Sequence, residues 1–121
     1  MRIVNATRGT TVCSSAIVAG NPVRRLAGLM FHAGLPRGSA LVLERCNGIH
    51  TCFMRFPLDV LFVSRDWRVV RVERAVPPWR FIPWVRGSSR VVELPAGAIT
   101  ESSTARGDVL RPVDTVSAWL A

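Results

Sequence analysis

The chain has 121 residues, of which 49% are apolar and 20% charged, and its net charge is +8. This composition is ordinary for a globular protein and excludes an intrinsically disordered chain. No apolar run approaches the roughly 20 residues of a membrane helix, which excludes an α-helical membrane span. We expect one domain over residues 1–121, which is long enough to build a hydrophobic core.

Strand signals dominate the chain. Apolar runs bounded by glycine, proline and polar turn residues predict six strands and a last apolar segment. They cover residues 2–7, 11–18, 40–43, 58–63, 67–73, 90–94 and 116–120. In the strand 67–73, Val70 and Val72 share a face with Arg74, which suggests a strand near the edge of a sheet.

One short α-helix is predicted near residues 22–30. Asn21 is a favourable N-cap, and Pro22 suits the first helical position. Leu26 and Met30 then share one apolar face. A helix this short is stable only when it docks on a sheet.

The strand 58–63 is the clearest in the sequence. Both of its faces are apolar except at Asp59, so we expect both faces to be covered. A carboxylate buried there needs a cation or several hydrogen-bond donors, and Arg25 and Arg55 are possible partners. Asp59 is therefore either a structural group, paired with an arginine or bound to loop amides, or a catalytic base.

The segment 77–84 contains three prolines, which remove the backbone donors of a regular central strand. We predict a stiff aromatic loop. Trp79 and Trp84 with Arg80 offer aromatic faces beside positive charge, which can stack bases or bind apolar ligands. The same loop can also serve as a structural lid over the end of the sheets.

Fold class and compartment follow from the same patterns. Many short strands separated by turns, with one helix, predict a mainly β, single-domain sandwich or barrel. Residues 1–9 lack the apolar segment of a secretory signal, so we expect a cytoplasmic protein. Three cysteines are too few for a disulfide framework, and we expect them to be reduced.

Four segments carry a family resemblance. They are R-L-A-G-L-M at 25–30, the block 50–62 in the version preceded by Ile49 (I-H-T), E-L-P-A-G at 93–97 and G-D at 107–108. On these segments the chain resembles the DUF192 family, small bacterial and archaeal proteins of unknown function. The resemblance implies a compact, mostly β domain related to jelly rolls, with one short helix and no assigned reaction. Many relatives carry Lys-Asn-Thr where this chain has R-F-P at 55–57, so any role of that asparagine is missing here.

His50 and its neighbouring thiols are the groups that could take part in a reaction or bind a metal ion. An imidazole titrates near neutrality, so His50 and Asp59 could serve an acid–base or hydrolytic enzyme. No serine or cysteine is fixed beside His50 by the sequence, so no catalytic triad is predicted. Cys46, His50 and Cys52 supply only three ligands at a spacing that matches no standard zinc pattern. We predict no metal and no cofactor.

The positive charge, all of it from arginine, favours anionic partners. Nucleic acid is one candidate partner, but no recognition motif accompanies the charge, and a solvated basic surface is the simpler interpretation. Our leading hypothesis is a non-catalytic module that binds a small anionic ligand or a peptide of a partner protein at one end of the β scaffold. The candidate binding residues are His50, Arg55, Asp59, Arg80, Trp79 and Trp84. The candidate structural polar residues are Arg25, Glu93 and Asp108.

Overall fold

The computed structural model describes residues 1–19, 35–52 and 54–113. Within these ranges the chain forms ten β-strands and one short α-helix. In chain order they are β1 (Arg2–Asn5), β2 (Thr10–Cys13), β3 (Ser15–Ala19), β4 (Ser39–Glu44), β5 (Ile49–His50), β6 (Leu58–Val63), β7 (Val69–Val76), β8 (Phe81–Ile82), β9 (Arg90–Pro95), α1 (Ala98–Ser102) and β10 (Leu110–Val113). The predicted helix at 22–30, with Arg25, and the apolar segment at 116–120 lie outside the described residues.

The strands form three sheets. The largest has five strands in the order β3-β4-β9-β6-β7, in which β3 and β4 run parallel and the other neighbours antiparallel. A second sheet has the order β10-β1-β2, and β5 pairs with β8. The mainly β prediction is confirmed. The sheets do not close into a barrel in the part of the chain that the structure describes, and the relation to jelly rolls stays a prediction.

Strand β6 lies inside the five-stranded sheet and is buried along its whole length. Its alternate side chains enter two separate apolar clusters. Leu61 and Val63 belong to the first cluster, and Leu58, Val60 and Phe62 belong to the second. The prediction that both faces of this strand are covered is confirmed.

The two clusters bring different parts of the chain onto the five-stranded sheet. The first includes residues of the three-stranded sheet and of α1, namely Ile3, Val12, Leu110 and Ile99. The second includes residues of β5, of the segment that follows it and of the loop after β8, namely Ile49, Met54 and Val85. The second cluster therefore holds the region of the candidate site against the sheet.

Five local features differ from the predictions, and two of them are the unpredicted strands β5 and β10. The predicted strand 11–18 is two strands in two different sheets, because the backbone N–H groups of Ser14 and Ser15 both bond to the carbonyl of Gly38 and turn the chain. The aromatic loop contains the two-residue strand β8. Helix α1 was not predicted, since Gly97 at its N-cap offers no side-chain acceptor. The edge position of β7 agrees with the prediction.

Candidate functional site

Asp59 is buried in β6, with 1% of its surface exposed. Its Oδ1 accepts a hydrogen bond from the N–H of Ala75 at 2.8 Å, and its Oδ2 accepts from Gly97 at 3.1 Å and Ile99 at 2.9 Å. Ala75 has a φ of 47°, which is uncommon outside glycine. The carboxylate therefore joins the end of β7 to the start of α1. Asp59 thus binds loop amides, which is one of the two structural interpretations of this residue given above.

Thr51 connects β5 to the aromatic loop. The backbone N–H of Thr51 donates to the carbonyl of Arg80, and the Arg80 N–H donates to Thr51 Oγ1, both at 2.8 Å. The same hydroxyl donates to the carbonyl of Pro77 at 2.7 Å, and the Trp79 N–H donates to the Thr51 carbonyl at 3.0 Å. Thr51 is buried, so these bonds are shielded from water. The segment of β5 and the aromatic loop, which carry the candidate residues His50, Trp79 and Arg80, therefore lie side by side.

His50 and Phe81 are opposite partners in the β5–β8 ladder. Directly opposed residues of an antiparallel pair project to the same face, so the imidazole and the phenyl ring are neighbours. Both are exposed, Phe81 to 67%. Arg80 and Trp79, which is 60% exposed, continue the same edge. We call His50, Trp79, Arg80 and Phe81 the aromatic rim.

Two tryptophans of this region have left-handed backbone conformations. Trp79 has a φ of 65° and Trp84 a φ of 48°. Such values are outliers for bulky residues and cost about 1–3 kcal/mol each. The indole of Trp84 gains little burial in return, because the residue is 80% exposed. Strained conformations that present large apolar groups to solvent are typical of contact surfaces.

A concave surface with a volume of about 620 Å³ lies beside Trp84. It is formed by neighbouring residues of β7, the loop after β8 and the segment before β10. We call it the basic groove. Its lining residues are Val70, Arg71, Val72, Arg74, Trp84, Val85, Arg86, Ala105 and Arg106. Four arginines and no carboxylate line it, so its local electrostatic potential is positive.

The groove arginines differ in their ion pairs. The Nε of Arg71 lies 2.7 Å from the Oε1 of Glu73, a residue that does not line the groove. Arg74, Arg86 and Arg106 form no ion pair with a carboxylate of the described residues. No carboxylate of the described residues therefore competes with a ligand for three of the four guanidinium groups.

A second, smaller concavity has a volume of about 350 Å³ and lies between the strands β2 and β4 and the start of α1. Arg37 and Glu101, which form an exposed ion pair, both line it, so its charge is balanced. Neither of these two concavities includes His50, Arg55, Arg80 or Trp79. Of the candidate binding residues, Trp84 lines the basic groove, and Arg55 is exposed outside it.

Asp108 is buried between β1 and the turn before β10. Its Oδ2 accepts from Asn5 Nδ2 at 3.0 Å, from Arg8 Nε at 3.0 Å and from the Ala105 N–H at 2.9 Å. Burial by itself raises the pKa of Asp108, but the three hydrogen bonds and the charge of Arg8 outweigh it and hold the pKa below its usual value. Asp108 stabilises this turn, as a structural polar residue does.

Glu93 lies in β9, where it is buried opposite Leu41 of β4 and Val60 of β6. It is therefore an interior residue of the five-stranded sheet. The thiols differ in burial: Cys13 is buried, whereas Cys46 and Cys52 are half-buried. Burial raises the pKa of the Cys13 thiol and makes it a poor nucleophile. No group of three His, Cys, Asp or Glu side chains suited to a metal ion occurs among the described residues.

Comparison with known proteins decides the family. The profile of the DUF192 family, described as "Uncharacterized ACR", matches residues 3–112. The chain belongs to the DUF192 family. A UPF0127 protein of Pyrococcus furiosus is 35% identical over 113 residues, which are 89% of this chain and 95% of the relative. A UPF0127 protein of Thermococcus sibiricus is 30% identical over 110 residues, 88% of this chain and 71% of the relative.

Solved structures share the fold of this DUF192 chain. A Novosphingobium aromaticivorans protein of unknown function has a TM-score of 0.74 at 21% identity, over 93% of this chain and 84% of its own. A Sinorhizobium meliloti protein, for which transcription regulation has been suggested, has a TM-score of 0.71 at 22% identity, over 91% and 89%. At these identities the likeness concerns the fold. No helix among the described residues is long and apolar enough to cross a membrane.

Sequence reasoning missed Thr51 and most of the basic groove. The groove arginines lie at 71–74, 86 and 106, so only the folded chain brings them together. One signal was present, since Val70, Val72 and Arg74 of the predicted edge strand all line the groove. The prediction that they share one face is wrong, because a register shift in the β6–β7 ladder places Val70 against the second cluster and Val72 against the first. Thr51 gave no signal, because its partners are backbone groups 26–29 residues away.

Proposed function

We propose that this DUF192 protein is a non-catalytic binding module for an anionic group of a ligand or partner protein, and that the basic groove is its binding site. The observation that carries the proposal is the concave surface of about 620 Å³ lined by four arginines and no carboxylate. Guanidinium groups bind carboxylate and phosphate oxygens through paired hydrogen bonds, so an anion in the groove would find several donors at once.

Trp84 supports the same proposal. Its indole is largely exposed although its backbone is strained, and it lies at the wall of the groove. An aromatic face beside arginines adds apolar contact area to a charged site. The aromatic rim lies on β5 and on the chain just before Trp84, and we propose that it extends the surface through Arg80 and His50. Arg55 is exposed on the neighbouring segment and could contribute charge.

The acid–base alternative gains no support from the geometry. It needs the His50 imidazole and the Asp59 carboxylate to meet at a point that solvent can reach. Asp59 is buried and its oxygens accept from three backbone amides, whereas His50 is exposed in β5. Nucleic-acid binding would use the same positive charge of the groove. Comparing the binding of an oligothymidylate with that of an acidic peptide separates it from protein binding.

The test uses inorganic tripolyphosphate as an anionic probe of the groove. We expect it to raise the melting temperature of the wild-type protein at low salt, because a ligand of the native state stabilises that state. The double variant Arg74→Gln/Arg86→Gln should bind about tenfold more weakly by calorimetry, a loss of roughly 1.4 kcal/mol. Higher salt should weaken wild-type binding through screening.

Arg65→Gln provides the control. Arg65 is exposed in the turn between β6 and β7 and lies outside the groove lining, so this variant removes one charge elsewhere. It should bind tripolyphosphate as the wild type does. Equal losses in the control and in the groove variant, or no binding by the wild type, would show that the groove is not a binding site.

A further inference from the structure

The outer edge of β7, next to the basic groove, pairs with no strand of the described residues. β7 is the last strand of the five-stranded sheet and pairs with β6 on its inner side. On its outer side, only its first residue has backbone partners among the described residues: Val69 accepts from Gly107 and donates to Asp108, both at 2.8 Å. From 70 to 75 the outer edge has no backbone partner in the described part of the chain.

The chain itself shows how this edge can be used. Arg68 forms an antiparallel bridge with Val109, and Gly107 and Asp108 bond to Val69, so the segment 107–109 already pairs with the start of the strand. The preceding residues, Ala105 and Arg106, turn away and become one wall of the groove. The open edge therefore continues from the paired one, over about 16 Å for the five residues 70–74, before the left-handed Ala75.

The charges around the edge select among possible occupants. A second copy of this chain would bring the same arginines face to face, which is unfavourable. A nucleic acid would satisfy the arginines, but its backbone carries no alternating N–H and C=O groups to pair with a strand edge. An acidic peptide satisfies both the arginines and the strand edge.

Resting on the function proposed above, we propose that the basic groove receives an acidic, extended peptide segment of a partner protein, which adds to the outer edge of β7 as a strand. Main-chain hydrogen bonds to 70–74 supply affinity, and Arg74, Arg86 and Arg106 read the acidic side chains. Alternate residues of an added strand share one face, so a peptide that alternates acidic and apolar residues presents one row of carboxylates to the arginines. In the free protein the same arginines protect the edge against aggregation.

The experiment uses a capped synthetic peptide of eight alternating glutamate and valine residues with the full-length chain. Hydrogen exchange should slow at backbone amides within 70–74 when the peptide is present, and the ladder on the β6 side should not change. A peptide of the same sequence that is N-methylated at every residue keeps its charge but cannot donate to a strand edge. It should bind about tenfold more weakly or worse.

A charge swap provides the second arm. Arg74→Glu/Arg86→Glu should bind the glutamate–valine peptide about tenfold more weakly or worse, and should bind a lysine–valine peptide more tightly than the wild type does. Arg65→Glu should keep the wild-type preference, since it alters the net charge outside the groove.

The outcomes separate the two proposals. Equal binding of the methylated and unmethylated peptides, without slowed exchange at 70–74, overturns strand addition but leaves anion binding by the groove intact. Tighter binding of an oligothymidylate of eight nucleotides than of the acidic peptide overturns the choice of a protein partner. If tripolyphosphate and the acidic peptide both fail to bind at low salt, the proposed function itself is wrong.

Discussion

At the scale of single residues, Asp59 shows how one buried carboxylate can hold three segments together. Replacing it by asparagine places an amide donor opposite at least one backbone N–H, and that N–H loses its acceptor. We expect Asp59→Asn to lower the free energy of unfolding by roughly 2–3 kcal/mol, the range for hydrogen bonds to a charged group. Urea denaturation followed by tryptophan fluorescence measures this change.

The exposed Asp66 provides the comparison for Asp59. It lies in the turn after β6, where its carboxylate accepts from the Ser64 hydroxyl in solvent. Asp66→Asn should change the free energy of unfolding by no more than about 0.5 kcal/mol. Similar values for the two variants would mean that the three amides bonded to Asp59 find other partners in the folded state.

Asp108 makes stability depend on pH. Its pKa in the folded protein lies below the value of about 3.9 expected for an unfolded chain. Its contribution is therefore complete above that value and is lost as the pH falls through the folded-state pKa. We expect Asp108→Asn to be less stable than the wild type at pH 7 by roughly 1–3 kcal/mol, and the difference to shrink steadily toward pH 2.

Denaturation curves between pH 7 and pH 2 measure the effect of Asp108. Glu101→Gln is the control, because Glu101 is exposed on α1 and forms only a surface ion pair with Arg37. A difference between the wild type and Asp108→Asn that stays constant over this range would contradict the assignment of the titrating group.

At the scale of elements, the aromatic loop depends on Thr51. Valine has the shape of threonine but lacks the hydroxyl that donates to Pro77 and accepts from Arg80. Thr51→Val should lower the free energy of unfolding by roughly 1–3 kcal/mol because it leaves a buried N–H and C=O unpaired. Hydrogen exchange of the Arg80 amide should also become faster. Thr11→Val, at an exposed position of β2, should leave that amide unchanged.

The elements also show what the sequence can and cannot predict. Strand β6 was predictable because burial on both faces leaves an uninterrupted apolar run. Helix α1 was not, because Asp59 of β6 supplies the acceptor at its N-terminus from about 40 residues away. The groove was not predictable for the same reason, since its walls come from three separate segments. Asp59 and Trp84 could be singled out locally, because a charge in an apolar run and an aromatic among prolines are unusual by themselves.

At the scale of the whole molecule, β6 links two apolar clusters into one cooperative unit. Val60 and Val63 are both fully buried on this strand, but they enter different clusters, the first beside the candidate site and the second beside the three-stranded sheet. Val60→Ala and Val63→Ala are therefore a matched pair that removes the same volume from each cluster. Each should lower the free energy of unfolding by roughly 1–3 kcal/mol, the range for a truncated core side chain.

The shared strand further predicts how these variants unfold. Neither cluster can lose β6 without exposing the other. In each variant, circular dichroism and tryptophan fluorescence should therefore report a single transition with coincident midpoints. Trp67 packs against the first cluster, whereas Trp84 lies beside the second, so fluorescence samples both sides. Separate midpoints in Val60→Ala would mean that the region around the basic groove unfolds by itself. The groove would then be a locally unstable unit, and strand addition to β7 would couple to its folding.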